Sequence, residues 1–115
     1  MRERLTGPIP SLKTPFQRDG EIDFAGLRRQ IDFNLSAGAK ALMLTAGDSH
    51  YVALTEKEIA GVTRVTVEHA AGRALVIAAD RYYHTTQAVE FAHFAKVTGA
   101  DLLMVMPPDW GASGT

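Results

Sequence analysis

"ALMLTA" (41–46) is a short apolar run with no polar alternation, followed at once by the turn-like "GDSHYVALT" (47–55). A run of this length, without period-2 alternation, suits a strand covered on both faces, as in a parallel sheet. Two more runs share that character, "ALVIAA" (74–79) and "DLLMVM" (101–106). A fourth, "GPIPSLK" (7–13), is broken by prolines.

The intervals between these runs carry helical periodicity. In "DFAGLRRQIDFNLSAG" (23–38), Phe24, Leu27, Ile31 and Leu35 fall on one stripe, with Asp23 placed to cap and Gly38 to stop. "TEKEIAGVTRVTVEHAAG" (55–72) opens with the capping-box pair Thr55 and Glu58 and closes on Gly72. Its inner stripe is Ile59, Val62, Thr66 and Ala70. In "TTQAVEFAHFAKVTG" (85–99), Thr85 or Thr86 is the expected cap, Ala88, Ala92 and Ala95 form a small inner face, and Gly99 ends the helix. The order is therefore β-α-β-α-β-α-β, with short connections and no linker or low-complexity segment.

Composition narrows the function classes. The 115 residues are 46% hydrophobic and 22% charged, with a net charge of −1, ordinary values for a globular domain. Acids and bases are interspersed, so no basic stripe points to nucleic acid. The absence of cysteine removes disulfides and thiolate metal sites. "MRERLTGPIPSLKTPF" (1–16) has no apolar core after its arginines, and no run reaches the roughly 18–20 apolar residues that cross a membrane. The expectation is a cytoplasmic protein with no membrane partner.

Two architectures use this element order, an open doubly wound sheet and a (β/α)8 barrel. The first strand leads into "TPFQRDGEID" (14–23), which has neither G-x-G-x-x-G nor a phosphate-binding P-loop. That favours the barrel. A complete barrel takes about 250 residues, and this chain has fewer than half of that. Its edge strands would be open, and its barrel-facing side would expose Leu, Met, Val and Ile side chains.

Four stretches together, "GPIPSLKTPFQRDGEIDFAGL" (7–27), "SAGAKALMLTAGDSHYVALTEKE" (36–58), "GRALVIAAD" (72–80) and "GADLLMVMPP" (99–108), resemble the dihydrodipicolinate synthase / N-acetylneuraminate lyase family. The resemblance implies a class I aldolase or dehydratase, a lyase acting on a 2-keto acid, with no cofactor. A lysine on a later strand, beyond residue 115, would form the Schiff base, whose protonated imine serves as electron sink. A relay tyrosine would also lie beyond this chain. The expected partners are a small-molecule keto acid and further copies of the same chain, as a homo-oligomer.

Within that frame the candidate site departs from the family's usual Gly-Thr-Thr-Gly-Glu turn. Ala46, Gly47, Asp48, Ser49 and His50 occupy the matching positions. Asp48 would repel a substrate carboxylate unless paired. Ser49 offers a hydroxyl, and His50 a charge to offset Asp48. In "AADRYYHTT" (78–86), Arg81 is a candidate anion holder, because a guanidinium grips carboxylates bidentately. Asp48, Ser49, His50 and Arg81 are thus the expected substrate-binding residues. Asp109 in "MPPDW" (106–110) stands where many members have the tyrosine that reaches a neighbouring subunit, and Trp110 reads as packing. Lys13 alone among the lysines falls at the end of a predicted strand. Two rival readings remain. Asp48, His50, Asp80, His84 and Asp109 follow strand ends and could ligate a metal in a metal-dependent lyase or hydrolase. Alternatively, the chain is a catalytically incomplete fragment or a self-assembling half-barrel. His69 and His93, on predicted helices, serve neither.

Overall fold

The computed structural model describes residues 2–81 and 84–105. After a 3-10 turn at Arg2–Arg4 come α1 (Phe24–Ser36), β1 (Ala41–Met43), a 3-10 turn (Tyr51–Ala53), α2 (Glu56–Ala70), β2 (Leu75–Ala79), α3 (Thr85–Thr98) and β3 (Leu102–Met104). The strands form one parallel sheet in the order β1-β2-β3, with Met43 beside Ile77 and Ile77 beside Leu102. Residues 10–12 run along the other edge of β1, joined by a parallel bridge between Ser11 and Met43. Strand order therefore follows chain order, as in a barrel wall.

The predicted first strand shrinks to that bridge for a local reason. The Met43 N–H donates to the Pro10 carbonyl at 3.0 Å, and the Leu12 N–H to the Met43 carbonyl at 2.8 Å. Below this pair the ladder cannot continue, since Pro10 has no N–H to give. Above it, a side chain intervenes, as described below.

Alternation sorts the sheet into two faces. Leu12, Leu42, Leu44, Val76 and Ala78 join Leu27 and Ile31 of α1, Ile59, Val62 and Ala70 of α2, and Phe91 and Ala95 of α3 in one buried core. The opposite face carries Ser11, Met43, Ile77 and Leu102 in register. That face is less exposed than the sequence suggests. Leu75 and Ile77 on the central strand are buried, while Met43, Leu102 and Met104 beside them are half-buried. A central strand is flanked on both sides, and its neighbours' side chains shield it.

The helix ends largely follow the expected chemistry. The Asp23 carboxylate accepts from the Gly26 N–H, and Thr55 with Glu58 makes the reciprocal capping box. The α2 stripe is buried at all four expected positions, joined by Thr63. Thr63 and Thr66 remain satisfied there by donating to the Ile59 and Val62 carbonyls one turn back. In α3 two expectations fail. Thr85 is already helical, and the cap position falls to His84, whose side chain makes no capping bond. The buried face is Phe91 with Ala95, while Ala88 and Ala92 are only half-buried. The bulky ring displaces the small residues as the packing contact. Gly99 closes α3 at φ +110°, a left-handed conformation that favours glycine, and a Cβ there would also sit 3.2 Å from Val67 Cγ1, a tight contact.

Candidate functional site

The turn after β1 lies at the C-terminal end of the parallel strands, where barrel folds place their chemistry. It is built around one buried hydroxyl. Ser49 has 0% exposure, and its Oγ donates to the Leu12 carbonyl at 2.6 Å while accepting from the Thr45 N–H at 3.0 Å. In the register set lower down, the next rung would run directly from the Thr45 N–H to the Leu12 carbonyl. The Ser49 hydroxyl occupies that rung as a wedge. It ends the ladder between residues 10–12 and β1 and holds the two backbone ends apart. Thr14 completes the lock by donating its hydroxyl to the Ser49 carbonyl at 2.6 Å.

The rest of the turn hangs from this lock. The Asp48 N–H donates to Thr45 Oγ1 at 2.9 Å, the Ser49 N–H to the Thr45 carbonyl, and the Tyr51 N–H to the Ala46 carbonyl. His50 adopts a left-handed conformation, φ +61°, with its ring 6.4 Å from that of Phe16. Tyr51 is fully buried. Pinned inward, Ser49 presents no hydroxyl to solvent and holds the shape of the turn. Asp48 and His50 are both exposed, yet they make no ion pair with each other among the described residues. The left-handed backbone turns His50 toward Phe16 instead.

Arg81 is half-buried just past the end of β2, next to the buried Asp80, and neither is free of partners. His84 is exposed at the start of α3. Asp109 and Trp110 lie outside the described residues. Among the described residues no three of the His, Asp and Glu side chains gather closely enough to hold a metal ion. A hollow of about 370 Å3 lined by Thr6, Pro10, Asn34 and Lys40 lies at the opposite, N-terminal end of β1, away from this turn. His69 is a structural residue. Its Nε2 lies 2.8 Å from Asp32 Oδ1, tying α2 to α1.

Sequence reasoning missed Thr14 and Gln30. The first was visible only as part of the "TPF" motif. Gln30 reaches from α1 to the peptide of Lys13, accepting from its N–H and donating to its carbonyl, both at 2.8 Å. No periodicity signals such a side-chain clamp.

Parallel strands in chain order, helices on one face and a locked turn at the strand C-termini define the wall of a (β/α) barrel. The sequence profile of the Dihydrodipicolinate synthetase family matches residues 4–112. The chain belongs to that family. It is 37% identical over 109 residues to the 4-hydroxy-tetrahydrodipicolinate synthase of Polynucleobacter asymbioticus, covering 93% of this chain and 35% of that protein. To the L-2-keto-3-deoxyarabonate dehydratase of Azospirillum brasilense it is 36% identical over 110 residues, covering 96% and 36%. The crystal structure of dihydrodipicolinate synthase from Bacillus clausii superposes with a TM-score of 0.78 at 36% identity, over 85% of this chain and 33% of that one. The chain thus spans about a third of the length of the relatives it matches.

Proposed function

We propose that this chain supplies substrate-binding loops of an aldolase- or dehydratase-type lyase that acts on a 2-keto acid through a Schiff-base lysine outside residues 1–115. The observation that carries the reading is the locked turn at 45–50. It is a preformed feature at the chemically active end of a family barrel wall. The named relatives include a synthase and a keto-acid dehydratase, and a protonated imine would serve either kind of reaction as an electron sink.

In this reading residues 1–115 are the N-terminal half of one barrel domain. Asp48, Ser49, His50 and Arg81 border the substrate, each in a different way. Ser49 fixes the turn, Asp48 and His50 line its exposed rim, and Arg81 grips an anionic group from the adjacent strand. The protein works as a cytoplasmic homo-oligomer without a cofactor. Borohydride added with pyruvate or a longer 2-keto acid should fix a covalent adduct on a lysine of the catalytically competent protein, seen as added mass. No adduct with any keto acid tested would refute the imine reading. Sedimentation tests the assembly. Residues 1–115 produced alone should be found paired across their open sheet edges rather than as a folded monomer at micromolar concentration.

A further inference from the structure

The peptide groups around Lys13 are tied down while its ammonium is not. The Leu12 carbonyl takes the Ser49 hydroxyl, both polar groups of the Lys13 peptide are held by Gln30, and Thr14 is bound to the Ser49 carbonyl. The Lys13 side chain is exposed and makes no hydrogen bond or ion pair among the described residues. The held backbone fixes where this cation is mounted, while its flexible stem still pays rotamer entropy on binding.

Its place on the sheet is set by register. Leu12 faces the helices, so Ser11 and Lys13 share the opposite, barrel-facing side. Continuing the Met43–Ile77 register places Thr45 beside Ala79, and the Ser49 hydroxyl joins the Thr45 N–H to the carbonyl of Leu12, the residue before Lys13. Lys13 therefore stands at the inner rim, adjacent to the first residue of the locked turn. One step below it, Ser11 Oγ is enclosed and has no hydrogen-bond partner. A buried hydroxyl left unsatisfied on the same face is a second sign that a polar group is accommodated there. Arg81 follows Ala79, the last residue of β2, by two residues, on the far side of β1 from Lys13.

We infer that Lys13, with the Ser11 hydroxyl below it, forms an anion subsite for a second acidic group on the substrate, which makes the substrate class a 2-keto acid carrying a further carboxylate or phosphate. This rests on the proposed lyase reading. The exposed Asp48 carboxylate disfavours an anion at the turn itself, so the substrate's charges are directed to cations on either side.

Titration calorimetry of the purified protein with pyruvate and with 2-oxoglutarate tests the subsite. The diacid should bind the wild type more tightly than pyruvate. Lys13→Met should weaken diacid binding about tenfold or more and leave pyruvate within twofold, and Lys13→Arg should restore the diacid. Lys13 is exposed, so these variants leave the core untouched. Unchanged diacid affinity in Lys13→Met, equal weakening of both ligands, or no binding of either ligand to the wild type would overturn the assignment. Borohydride trapping run alongside separates the two claims. Diacid binding that needs Lys13, with no adduct formed, would refute the imine reading and retain the subsite.

Discussion

The two flanks of β1 differ sharply. Toward β2 the ladder runs through Ala41–Leu75, Leu42–Val76 and Met43–Ile77, and continues to the Leu44 N–H on the Ile77 carbonyl. Toward residues 10–12 it carries two bonds, cut off below by Pro10 and above by the Ser49 hydroxyl. The first flank is held by continuous apolar residues and has only to persist. The second is opened by a side chain at the height where the candidate site begins. A polar wedge there costs little, because it satisfies the same carbonyl and N–H that the missing rung would have used.

The largest expected effect lies on the closed flank. Leu42 is fully buried between sheet and helices, so Leu42→Ala should cost about 2–5 kcal/mol, measured by denaturant unfolding. On the open flank, Ser49→Ala removes the shared partner of the Thr45 N–H and the Leu12 carbonyl, and should cost about 1–3 kcal/mol, with Ser49→Thr losing less. If Ser49→Ala proved as stable as wild type, the two backbone groups must close into a direct rung, and the wedge would be dispensable to the fold. Arg81→Ala should weaken keto-acid binding roughly tenfold or more by losing a charge-assisted hydrogen bond; unchanged affinity would return Arg81 to a structural role. The smallest effect is a gain. Ala71 ends α2 at φ +49°, so Ala71→Gly should stabilise by about 0.5–1 kcal/mol, read as a small rise in Tm.

The contrast between the flanks also explains what could be read from residues alone. The α2 helix was legible throughout because Thr55 and Glu58 act locally and Ile59, Val62, Thr66 and Ala70 repeat at helical spacing. In α3 the alanines mask the period, since Ala packs acceptably on either face, and only the fold shows that Phe91 turns inward. At the site, Asp48, Ser49 and His50 look interchangeable as a polar run. Their divergence is decided by the backbone, left-handed at His50, and by a carbonyl thirty-seven residues earlier in the chain. Gln30 clamps Lys13 across seventeen residues in the same way. Contacts of this kind leave no local pattern.

If, under the proposed imine reading, the wedge organises the binding turn, it should govern how much keto acid is needed and not the extent of imine formation at saturation. The direct test is the keto-acid dependence of borohydride trapping, followed by intact mass, for wild type and Ser49→Ala side by side. Both should reach the same limiting adduct, with Ser49→Ala requiring about tenfold more keto acid, the equivalent of one lost hydrogen bond. Superimposable curves would contradict the claim that Ser49 shapes the site.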